Sequence, residues 1–199
     1  GKAPIPPIFP NQVSSAFAIT YFLPGSLAGL YGYVNTDFTA NKQSFNAGYE
    51  QGAISMIVSY NPVTSQATSY ALSATAGQLT CSVSRLAAPV PNVNALQNST
   101  FIGAVNLPRH GLCYGWKFTI AGILDAIMFT RATGTQVWAP ALFVTNLYAV
   151  EYSATISVPI NPSTFDVYSI CPAAPSISHA PRSDSSNDIS EILANTFIF

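Results

Sequence analysis

Two histidines, three cysteines and eight carboxylates are the side chains from which this chain could build a reactive site. A Ser-His-Asp hydrolase needs an imidazole held by a carboxylate and reached by a hydroxyl. His110 stands in the turn-like run Pro108-Arg109-His110-Gly111, and His179 stands in a Pro/Ser-rich tail. Serines are so numerous that one near His110 would carry little meaning. No GxSxG elbow, Walker loop, HExxH or CxxC occurs. Cys81, Cys113 and Cys171 lie at least 32 residues apart, which fits no metal-ligand spacing. Calcium wants six to eight oxygen ligands with carboxylates close together. Asp37, Glu50, Asp125, Glu151 and Asp166 stand singly, and Asp166 after Phe165 reads as a turn cap. No catalytic residue, metal or cofactor is nominated, and the chain reads as a binding or structural protein.

Composition narrows the partners. Charged residues make up 8% of the 199-residue chain, against about a quarter in an ordinary soluble domain. Net charge is −1 and the seven Lys plus Arg are scattered, which excludes a phosphate-tracking groove and argues against nucleic acid. No apolar run reaches the roughly 20 residues of a membrane-spanning helix. The longest, Ile120 to Phe129, contains Asp125. Gly1-Lys2-Ala3-Pro4 does not read as a signal peptide, because Pro4, Pro6 and Pro7 would break its apolar helix. The missing initiator Met and the sequon Asn98-Ser99-Thr100 point instead to a leader already removed, and so to a secreted protein with Asn98 as glycan acceptor. In that setting the cysteines read as one disulfide plus one buried thiol. In a reducing compartment they read as three small buried hydrophobes.

The elements that would position any site are strands. Apolar residues alternate at Phe17, Ile19, Tyr21; at Tyr31, Tyr33 before an Asn35-Thr36-Asp37 turn; and at Phe45, Ala47, Tyr49. The alternation continues at Ile54, Met56, Val58, Tyr60, which Asn61-Pro62 ends, and then at Tyr70, Leu72 and Leu79, Cys81, Val83 around Ala76-Gly77. A Pro-rich crossing, Ala87 to Asn94, interrupts the pattern. Strands resume at Tyr114, Trp116, Phe118, Ile120, then at Ile123 to Arg131, Ala141 to Val144, and Val150, Tyr152, Ala154, Ile156. So many short alternating segments predict an antiparallel, all-β or mainly-β barrel or sandwich.

Three regions result: a Pro-rich strap over 1–16, a β-domain over 17–171, and a Pro/Ser-rich arm over 172–199. The arm ends in a short amphipathic helix, with Asp188 and Glu191 at capping-box spacing and Ile189, Ile192, Leu193 and Phe197 on one face.

The order of motifs resembles the ependymin-related and LolA-like superfamily of secreted β-barrel proteins. Gly29 to Asp37 is similar to that group's early Gly/Tyr strand, and Tyr70 through Gly77 to Cys81 to its strand, turn and cysteine. Val90-Pro91 to Gly103, followed by Gly115-Trp116, resembles its proline crossing. Tyr152 to Pro159, Pro162 to Asp166 and Cys171 resemble its closing Pro-Phe-Cys portion. The resemblance implies a half-open barrel around an apolar cavity and a role in binding lipid or another hydrophobic small molecule. It also implies a Cys81–Cys171 disulfide with Cys113 free. Fewer cysteines and lower charge separate this chain from ependymins proper.

Two functions follow as expectations. In the first, a lipid is held non-covalently against Ile54, Met56, Val58, Tyr70, Leu72, Trp116, Phe118, Met128 and Phe129. In the second, the chain is a structural subunit of an extracellular fibre, coat or capsid. It would then bind copies of itself or another subunit through its terminal arms, chiefly 172–199.

Overall fold

The computed structural model describes residues 1–22, 29–120, 122–171 and 193. It is mainly β, as the alternation predicts. Eleven strands run β1 (Gln12–Tyr21), β2 (Leu30–Asp37), β3 (Lys42–Tyr49), β4 (Gly52–Asn61), β5 (Gln66–Thr75), β6 (Gln78–Ala87), β7 (Thr100–Leu107), β8 (Gly111–Ile120), β9 (Leu124–Arg131), β10 (Pro140–Thr145) and β11 (Tyr148–Ile156). A 3-10 turn, Pro162–Phe165, and the short helix α1, Val167–Ile170, follow.

All eleven strands form one antiparallel sheet in the order β6-β5-β4-β3-β2-β1-β11-β10-β9-β8-β7. Two meanders, β1 to β6 and β7 to β11, are joined where β1 pairs with β11. The sheet curls but does not close. Among the described residues β6 pairs only with β5, and β7 only with β8.

Sequential strands in a meander need tight turns, and the sequence supplies them. Ala76 and Gly77 both take positive φ in the two-residue β5–β6 turn, the conformation a hairpin of that length demands. Asn61 accepts from the backbone N–H of Val63 at 2.9 Å, stopping β4 at its predicted end. The turn read at Asn35-Thr36-Asp37 lies further on, at residues 38–41. Ser14, Asn35 and Ser44 bond side chain to side chain across three strands there, which extends β2 to Asp37.

The link from β6 to β7 must travel from one edge of the sheet to the other. Its Leu96 is fully buried in the core cluster, and Val90, Val93 and Ala95 pack against that cluster. Strap residue Phe9 donates its N–H to Val93 at 2.9 Å and is itself buried. The Pro-rich crossing and the strap therefore lie over the concave side.

Two features escaped the strand pattern. β7 was not anticipated, because a bulge at Gly103 breaks its alternation. In β11, Ala154 and Thr155 together oppose Ser15, and Ala154 sits at φ 49°. This bulge turns Thr155 inward, 2.6 Å from the Ser15 hydroxyl, and leaves Ala154 and Ile156 outside.

Candidate functional site: a filled hollow and an open outer face

The register sorts the residues expected to line a cavity. Ile54, Met56 and Val58 of β4 face the hollow, as do Trp116 and Phe118 of β8 and Met128 of β9. Tyr70, Leu72 and Phe129 do not join them. Tyr70 pairs with Ile57 and Leu72 with Ser55, positions one step out of phase with Met56, and Phe129 follows inward Met128. These three lie on the outer face. On β5 the inward positions are Ala67, Ser69, Ala71 and Ser73, all buried. Apolar alternation therefore picks the wrong face of that strand.

The hollow is occupied by the chain itself. Ile54, Met56, Val58, Trp116 and Met128 are each 2% exposed or less. They share one cluster with Phe45, Phe143, Tyr152, Leu96 and Leu193. Leu193, the only described residue of the amphipathic tail segment, is helical and fully buried. The rest of that segment, with Asp188, Glu191 and the arm from 172, lies outside the described residues. Each large side chain so buried contributes about 1.5–3 kcal/mol. Several polar groups within are paired: Trp116 donates to Thr130 Oγ1 at 2.9 Å, Tyr60 donates to Gln43 at 2.7 Å, and Gln43 donates to Thr36 at 3.0 Å. Burial pushes the Tyr60 and Tyr152 hydroxyls well above the usual phenol range, with Tyr148 adding to the shift at Tyr152. Depressions occur at the surface instead, one of them between β3, β4 and the 3-10 turn with α1. Another of about 370 Å³ is bordered by Asn11, Phe38 and Val90 to Val93, and a third of about 570 Å³ by Asp37, Thr39 and Ser157 to Pro159.

The titratable side chains assemble no reaction centre among the described residues. His110 is nearly buried, its Nε2 3.5 Å from Glu151, which Arg109 also approaches at 3.6 Å. Neither ring nitrogen of His110 makes a hydrogen bond among the described residues, so no hydroxyl is poised on it. Burial pushes the Cys113 thiol up while the nearby Arg131 pulls it down, and the side chain is inaccessible. Such a thiol is inert. Asp37 accepts from Gln12 and from the Ala40 N–H, and Asp166 caps α1 through the Tyr168 N–H. Among the described residues no three His, Cys, Asp or Glu converge as metal ligands. His179 lies outside the described residues.

Cys81 on β6 and Cys171 after α1 form a disulfide, the pairing the resemblance implies. It ties down the segment whose 3-10 turn touches β3 and whose α1 touches β4 and β5. Ile57, on the outer face of β4, is buried there. Asn98 is exposed in a turn just before β7.

β7 is the functional candidate that alternation missed. Its sequence, Thr100–Leu107, holds no charged residue, and Ile102, Ala104, Val105 and Asn106 are exposed. A signal was present: no charge occurs from Leu86 to Pro108.

No protein-family model matches the chain, and no curated protein matches it. Among solved structures it is similar to a DUF1329 family protein from Desulfovibrio piger, at 10% identity. That match covers 80% of this chain and 91% of the other, with a TM-score of 0.36. A likeness that distant carries no functional information.

Proposed function

We propose that this chain is a secreted, non-enzymatic structural subunit that joins its neighbours by strand pairing at the β7 edge. One observation carries the reading: an eight-residue edge strand, uncharged and exposed, that among the described residues pairs on one side only. Proteins normally blunt such edges with Lys, Pro or a covering element, because bare N–H and C=O groups template another strand. Here a bulge at Gly103 is the sole such device within the strand, and it leaves Ala104 to Leu107 in regular pairing with β8.

The filled hollow favours this function over lipid carriage. A guest would have to displace Leu96, Phe9 and Leu193 from a continuous core. It also moves the point of assembly away from the termini, since Phe9 of the strap and Leu193 of the arm are buried in the chain's own core. Secretion is supported by the disulfide, which persists in oxidising compartments, and by the accessible Asn98 sequon.

Sedimentation velocity over a concentration series tests the proposal. Wild type should associate, and Val105→Lys should remain monomeric at the same concentrations. Identical sedimentation of the two proteins would reject it.

A further inference from the structure

Beyond its Gln12–Asp37 end, where the Ile160 N–H bonds the Gln12 side chain, the outer face of β1 and β2 lies between two coverings. On one side α1 and the 3-10 turn rest on β3 to β5. On the other, the β7–β8 hairpin tip reaches Glu151 through Arg109 and His110. In the open strip stand Tyr31 and Tyr33, each 65% exposed. Two positions apart on one strand, their Cα atoms are about 6–7 Å apart on the same face.

The sheet is shaped to hold one of these rings flat. Tyr31 pairs with Gly48. A Cβ on Gly48 would stand 2.9 to 3.1 Å from Tyr31 Cζ, Oη and Cε2. The ring therefore lies down over the glycine and turns its other side to solvent. Cross-strand neighbours are small or polar: Ala16 and Asn46 beside Tyr33, and Ala18 beside Tyr31. Asn46 accepts from Ser55 at 2.9 Å, and its amide supplies two N–H donors. Of the carboxylates bordering it, Glu151 already faces Arg109 and His110, and Asp37 accepts from Gln12 at 2.7 Å.

From this geometry we infer that Tyr31 and Tyr33 form a stacking platform for a neutral, β-linked polysaccharide. The platform is uncharged, which disfavours anionic glycans, nucleic acid and acidic membrane. It is also small. Two tyrosines at this exposure offer about 300 Å², against about 800 Å² per partner in a stable protein interface. A flat sugar chain needs no more: the apolar face of a pyranose stacks on each ring, and its equatorial hydroxyls meet the flanking amide and hydroxyl groups. This inference goes beyond the strand-pairing function and does not depend on it.

The test is retention of the full chain on microcrystalline cellulose and on chitin, with polygalacturonate as a charged control. Wild type should be retained on at least one neutral matrix and not on polygalacturonate. Tyr31→Ala/Tyr33→Ala should lower retention about tenfold or more. Gly48→Val, which lifts the ring without changing it, should lower retention as well, whereas Val105→Lys should leave it intact. Thermal melting of each variant confirms folding, and Tyr31→Phe, which keeps the ring, should retain binding. Three results would overturn the inference: wild type bound to neither matrix, the double alanine variant bound as wild type, or a double variant that changes the chain's own sedimentation instead. The last would assign the rings to a protein contact.

Discussion

Cys81 on the edge strand β6 and Cys171 beyond α1 are covalently joined, with Cα atoms 5.9 Å apart and a sequence separation of 90. The bond therefore clasps the segment after β11 to the far end of the sheet. A loop that long removes much denatured-state freedom, worth about 4.6 kcal/mol in the chain-entropy model. Cys81→Ser/Cys171→Ser should lower the denaturant midpoint accordingly while the far-UV β signature persists. A midpoint equal to wild type would show that the clasp contributes nothing.

Cys113 should behave as a concealed thiol. Its position on β8 is inaccessible and burial raises its pKa. A thiol reagent at neutral pH should find no reactive group in the native protein and one per chain after unfolding without reductant. Rapid native labelling would contradict the burial.

Alkali should destabilise the fold. Tyr60 and Tyr152 are held neutral by burial, and Tyr21 likewise, with Tyr148 contributing at Tyr21 and Tyr152. In the unfolded chain these phenols ionise near pH 10. Below that pH both states are protonated and the groups leave stability unchanged. Above it the unfolded state sheds protons that the folded state keeps, so stability falls as pH rises. Melting temperature from pH 9 to 11.5 should decline, and Tyr60→Phe should soften the decline.

Core truncation should be costly on both walls of the hollow. Met56→Ala and Leu96→Ala should each cost about 2–5 kcal/mol, and Met56→Arg should prevent folding altogether. Adding fatty acid should not raise the wild-type melting temperature. A ligand-dependent rise, lost in Met56→Ala, would reopen the lipid reading.

Legibility in the sequence followed local physics and stopped where tertiary contacts intervene. The faces of β4 and β8 were readable, because Ile54-Met56-Val58 and Trp116-Phe118 alternate against polar neighbours and do face the core. Gly32 fits the same logic, since a Cβ there would overlap the Asn46 carbonyl oxygen where β2 and β3 approach. Tyr70 and Leu72 misled, because small Ala and Ser side chains occupy the inward positions of β5. Ile57 is buried on the outer face only because a later segment folds over it, which no strand periodicity encodes. Tyr31 and Tyr33 were legible as sharing a face, but which face depended on register with β1 and β3. The β7 edge was hidden by its bulge, and the filling of the hollow by a crossing that alternation cannot place.

Amide hydrogen exchange along β7 tests the assembly account most directly. As protein concentration rises, the backbone amides of residues 104–106 that do not bond to β8 should gain protection, and Val105→Lys should abolish the gain. Exchange at those amides that is fast and independent of concentration, in a protein that nonetheless associates, would place the interface elsewhere and contradict the account.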